Sequence, residues 1–94
     1  MPKKIANVPD FTGKVLSINL IDDDCSNDVI FPHFEMQGER LFLVGTVPEG
    51  ASESKWTDGA TVAIAWERVT DYFVFDSLAH YNKAIKKAEK HLED

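Results

Sequence analysis

Residues 61–85 read TVAIAWERVTDYFVFDSLAHYNKAI. Within 61–66, Val62, Ile64 and Trp66 alternate with Thr61, Ala63 and Ala65. A period of two, with β-branched and aromatic side chains on one face, specifies a strand. Glu67 to Asp71 is polar apart from Val69 and too short for a helix; it suits a tight turn or one turn of 3₁₀ helix. Tyr72-Phe73-Val74-Phe75 is apolar at every position, which predicts a strand covered on both faces. Asp76 or Ser77 can then cap a helix over 77–92, where Leu78, Tyr81, Ile85, Ala88 and Leu92 recur every three or four residues. Lys83, Lys86, Lys87 and Lys90 fill its other side and lie toward the C-terminus, where positive charge suits the helix dipole.

Upstream, residues 14–21 (KVLSINLI) alternate cleanly, with Leu16, Ile18 and Leu20 inward and Ser17 and Asn19 outward. Asp22 to Asp28 is a loop, because Asp, Asn and Ser favour turns over strand interiors. Residues 29–36 (VIFPHFEM) make a second strand. Pro32 within it cannot donate to a ladder, so this strand lies at an edge or carries a bulge. Gln37-Gly38 offers a hairpin turn, and 39–47 (ERLFLVGTV) a third strand that Gly45 bends. Pro48 to Gly59 is a longer link, in which 51–56 suits one helical turn.

The chain therefore reads as a single domain over 1–94: an irregular arm over 1–13, a β-barrel over 14–75 and the terminal helix. Ile5, Val8 and Phe11 of the arm are expected to tuck onto the barrel edge. The fold class is mainly β with a C-terminal α-helix, either a small five-stranded antiparallel barrel or a strongly curled meander. A strand ending at Trp66, a short link through Val69 and a final strand from Tyr72 resemble the end of an SH3-like barrel. The alternative is an α+β open sheet with one helix packed on it.

Composition excludes several classes. The hydrophobic share is 44% and the charged share 28%, ordinary values for a folded chain. No apolar run approaches the roughly 20 residues that span a membrane, and no apolar segment follows Lys3 and Lys4 as a secretory signal requires. Cys25 stands alone, so no internal disulfide framework exists, and a cytoplasmic location is expected. The net charge of −6 is uneven. Residues 1–20 carry three lysines against one aspartate, 21–60 nine acids against two bases, and 61–94 six acids against five bases. An acidic middle argues against nucleic acid and suits a basic protein partner or a divalent cation.

The acidic loop fails the comparison with a calcium-binding helix–loop–helix. Asp22 and Asp24 stand at the first two ligand places, but Ser26 is a poor third, Asn27 replaces the glycine and His33 the bidentate glutamate. Cys25 lies among aspartates that oppose thiolate formation, and no oxyanion loop accompanies it or His33. His80 and His91 are three helical turns apart, too far for joint ligation. No phosphate loop or hydrolase motif is present, so the expectation is a binding protein rather than an enzyme, without cofactor or metal. Trp56, between Lys55 and Thr57, either lids the barrel or stands exposed as an interface anchor; the lid is the commoner fate of a loop tryptophan.

Asp22, Asp23, Asp24 and Asp28, with Glu35, Glu49, Glu53 and Asp58 in the same acidic half, give a surface character similar to that of small acidic immunity proteins of bacterial toxin–immunity pairs. The resemblance implies an inhibitor that occludes a basic toxin or enzyme. Its expected contact residues are Asp22, Asp23, Asp24, Asp28, Glu53, Trp56 and Asp58. The other reading is an SH3-like structural or regulatory module that self-associates or docks a peptide, with the Pro32 strand as its open edge.

Overall fold

The computed structural model describes residues 8–51 and 55–93, with side chains described as far as Lys90. Five strands form one antiparallel sheet: β1 (Val15–Leu20), β2 (Asn27–Gln37), β3 (Arg40–Thr46), β4 (Thr61–Ala65) and β5 (Val69–Phe75), followed by helix α1 (Leu78–Glu93). The spatial order is β4-β3-β2-β1-β5, so the chain meanders outward from β1 to β4 and then returns to pair β5 on the far side of β1. One 3₁₀ turn at Trp66–Arg68 makes the return. Among the described residues no ladder joins β4 to β5, so the sheet is curled but open.

The curl begins in β2. Its first residues pair with β1, Asn27 opposite Ile18 and Ile30 opposite Val15, while His33–Gln37 pair only with β3. Phe31 and Pro32 fall in a register shift between these two halves. Proline's missing N–H is tolerated there because a bulge asks for no ladder bond. Gly45 faces the bulge: a Cβ on it would lie 2.3 Å from Val29 Cγ1 and 2.7 Å from the Ile30 carbonyl oxygen. The expected open edge at Pro32 is therefore corrected. β2 is flanked by β1 and β3, and Pro32 is buried.

Inside the curl lie Leu16, Ile18, Val29, Leu43 and Ile64. Leu16, Ile18, Val29 and Leu43 are fully buried, each contributing roughly 2 kcal/mol of transfer free energy. The open side is closed by rings rather than by hydrogen bonds. Phe11 from the arm packs at 5.3 Å from Tyr72 and 5.8 Å from Phe34, and Trp66 at 5.0 Å from Phe34 and 5.8 Å from Tyr72. Edge-to-face geometry dominates this group and suits the aromatic quadrupoles. Phe11 thus tucks in as expected and Val8 is half-buried; Ile5 lies outside the described residues.

Two expectations for the C-terminal third fail. β5 starts at Val69, directly after the 3₁₀ turn, and is not covered on both faces, since Tyr72, Phe73 and Val74 are all exposed. It is an edge strand, and its continuous apolar run reflects that position rather than double burial. Among the described residues, helix α1 is held to the sheet through its first turn. Ser77 Oγ accepts the His80 N–H at 3.1 Å, and Asp76 N–H donates to His80 Nδ1 at 3.1 Å. Tyr81 is buried and its ring lies 5.4 Å from Phe75. Leu78 and Ile85, on the same stripe, remain 43% and 40% exposed. A 16-residue helix is about 24 Å long, and the molecule is drawn out to 50 × 26 × 23 Å.

Candidate protein-binding site

Antiparallel topology places the β1–β2 loop and the β3–β4 loop at the same end of the sheet. They meet there: a cleft of about 200 Å³ is lined by Ser26, Asn27 and Asp28 from one side and Val47, Ala51, Thr57 and Val62 from the other. A second cleft of about 390 Å³ continues from it past Ile30, Thr46, Val47, Glu49, Asp58 and Gly59. Glu49 also faces the helix start across a third hollow lined by Ile30, Pro48, Leu78 and Asn82.

The β1–β2 loop is exposed from Ile21 to Ser26. Asp22 adopts a left-handed φ of 61°, which aspartate tolerates better than most residues. Asp23 shapes the loop: one carboxylate oxygen accepts the Cys25 N–H at 2.9 Å and the other the Asn27 side-chain amide at 3.4 Å. Arg68 donates to the Ile21 carbonyl at 3.5 Å, bringing one positive charge against the base of the loop. Asp22 and Asp24 project beside it.

Asp28 is different from its neighbours. It sits in β2, half-buried, and accepts the Tyr81 hydroxyl at 2.5 Å. Burial, with the adjacent Asp28 carboxylate, pushes the Tyr81 phenol far above its usual range. Asp28 therefore ties the helix to the sheet instead of projecting toward a partner. Asp58 is also engaged internally: one carboxylate oxygen accepts the Gly50 N–H at 3.1 Å, while the other is buried and has no hydrogen-bond partner among the described residues. Glu53 lies outside the described residues.

Trp56 is no lid. It is 83% exposed, the most exposed of the large apolar side chains. It rides on a turn closed by Asp58 N–H to the Lys55 carbonyl at 3.2 Å, and Ala60 N–H to the Thr57 carbonyl at 2.9 Å follows. Lys55 enters that turn at a φ of 59°. The backbone thus holds the indole outward next to Thr57, which lines the cleft.

Of the seven expected contact residues, the structure leaves Asp22, Asp24 and Trp56 projecting from one end, with Asp23 shaping the loop between the two aspartates. Glu49 was passed over as a contact; its place beside two of the clefts depends on long-range pairing that local sequence does not encode. Phe31 was missed as well. It is 69% exposed at a φ of 54°, an unusual conformation for an aromatic residue. Cys25 is exposed in the acidic loop and His33 lies beyond the bulge, 3.6 Å from Glu35. Among the described residues, no three of His, Cys, Asp and Glu gather to hold a metal ion, and no helix is long and apolar enough to cross a membrane. Compared with protein-family models, with curated proteins and with solved structures, the chain finds no match in any of the three.

Proposed function

We propose that this chain is a protein-binding protein that occludes a basic partner, in the manner of an inhibitor or immunity protein, and that it works in the cytoplasm. What supports the reading is one juxtaposition. Three consecutive aspartates in an exposed loop stand at the same end as a tryptophan held outward by a closed turn. Carboxylates on a loop steer a cationic surface and raise the rate of encounter. An aromatic anchor beside a cleft supplies the desolvated centre on which most binding energy concentrates. Neither the carboxylates of Asp22 and Asp24 nor the indole belongs to the core.

The test is capture of partners by the purified protein at low and high salt, with two variants. Asp22→Asn/Asp23→Asn/Asp24→Asn removes the charge yet preserves the shape, because asparagine tolerates the left-handed φ and its carbonyl can replace the Asp23 carboxylate as acceptor of the Cys25 N–H. Trp56→Ala removes the anchor. The expected result is a basic partner retained by the wild type at low salt, released as salt screens the loop, and lost by at least about tenfold in affinity in each variant. A partner held equally well by the neutralised loop would remove these aspartates from the mechanism.

A further inference from the structure

Strand β5 is the least finished edge of the sheet. Among the described residues it pairs only with β1. Proteins that remain single blunt such edges with lysine, proline, bulges or a covering segment. β5, VTDYFVF, has neither lysine nor proline. Its one irregularity is the extra residue Thr70, opposite the step from Asn19 to Leu20, which leaves Asp71–Phe75 regular. Phe73 is 62% exposed on one face of this strand, and Tyr72 and Val74 are exposed on the other.

Charge selects the occupant and its direction. β5 begins beside the acidic loop, where the Ile21 N–H donates to the Arg68 carbonyl at 2.9 Å and Asp22–Asp24 follow. It ends at α1, which carries Lys83, Lys86, Lys87 and Lys90. A copy paired in parallel would set acid against acid and lysine against lysine. An antiparallel copy sets each acidic loop toward the other's basic helix. We propose that the chain forms a two-fold homodimer by antiparallel pairing of β5 with β5 of a second copy, which continues the sheet across the interface. A register centred on Phe73 places the two phenylalanines opposite one another and Asp71 opposite Phe75, so the cross-strand pair at the centre is aromatic and no like charges meet. The two-fold also closes the contact, so the edge does not template further chains. The proposal concerns β5 and α1, and it holds or fails independently of what the loop clefts bind.

The test is sedimentation equilibrium of the full chain across micromolar concentrations at low salt, together with a cysteine-to-lysine cross-linker applied to a mixture of ¹⁵N-labelled and unlabelled protein. The expected result is a concentration-dependent dimer, with Cys25 joined to Lys83, Lys86 or Lys87 across the two isotopic forms. Phe73→Lys places a charge on an exposed edge position and is expected to raise the dissociation constant about tenfold or more, with its circular dichroism and melting temperature near those of the wild type. Lys83→Glu/Lys86→Glu/Lys87→Glu is expected to weaken the dimer at low salt and much less at high salt. A monomer at every concentration overturns the proposal. So does a monomer whose β5 amides resist hydrogen exchange, since the chain's own residues then occupy the edge. A dimer of unchanged affinity in folded Phe73→Lys, or cross-links confined to a single isotopic form, overturns it equally.

Discussion

Gly45 is the residue on which the curl depends. Val29 Cγ1 and the Ile30 carbonyl occupy the space a side chain would need, and the Ile30 carbonyl is fixed backbone at the edge of the bulge. Gly45→Ala is therefore expected to destabilise the fold by about 3 kcal/mol, the upper range for overpacking, read as a lower denaturation midpoint at unchanged slope. Gly38 meets a different demand: its φ of 66° turns the β2–β3 hairpin and nothing crowds it. Tyr81 is the second decisive residue. Tyr81→Phe keeps the ring against Phe75 but removes the hydrogen bond to Asp28, at a loss of about 1.5–2 kcal/mol. It is also expected to change the alkaline limb of stability. The phenol's folded pKa is raised, so between the ordinary tyrosine value near 10 and the folded one only the unfolded chain has released the proton. The contribution is fully present below the unfolded value and is lost as pH rises beyond it. Urea titrations at neutral and strongly alkaline pH would show the wild type losing this increment and Tyr81→Phe having none to lose.

Helix α1 and strand β5 show how a sequence pattern can name an element and still misplace its surroundings. The helix start was legible because Ser77 precedes the periodic stripe, and it caps as expected by accepting the His80 N–H. Ser77→Ala is expected to cost about 1 kcal/mol, seen in thermal unfolding and in faster amide exchange through the first turn. The stripe itself predicted a buried face, yet of its described side chains only Tyr81 is buried; Leu78 and Ile85 are 43% and 40% exposed. Periodicity reports that a face is apolar, not what lies against it. The run Tyr72–Phe75 misleads for the same reason, because unbroken apolarity suits both a doubly covered strand and an edge. β1 was legible as a strand, with Leu16 and Ile18 buried and Ser17 and Asn19 half-buried, but the alternation does not foretell the burial of Val15 on the second face. Pro32 announced a bulge correctly, and the ladders of β2 with β1 and β3 decided that the bulge was internal. Asp28 could not be told from Asp22–Asp24 by composition. Only the pairing of Ser17 with Asp28 and the arrival of Tyr81 draw it into the sheet.

At the scale of the whole molecule, the chain divides its charge: an acidic end carries Asp22, Asp23 and Asp24, and a lysine-bearing helix leaves from the far end of β5. Like charges three in a row repel one another, and Arg68 at the Ile21 carbonyl is the base placed against them. The hydrogen bonds of Asp23 offset part of that repulsion, but an amide in its place would keep the turn without the charge. Asp22→Asn/Asp23→Asn/Asp24→Asn should therefore melt about 3 °C higher than the wild type at low ionic strength, corresponding to roughly 0.5 kcal/mol of relieved repulsion. In ~1 M salt the screening length falls to about 3 Å and the two melting temperatures should converge. A melting temperature that falls instead, at every salt concentration, would mean that the carboxylates hold the loop together, and the occlusion reading would lose its premise that they are kept for a partner. A rise that vanishes in salt, in the same variant that releases a basic partner, would link the two measurements. The loop would then be less stable than its neutral counterpart for the sake of what it attracts, the trade expected where a surface is shaped by binding rather than by folding.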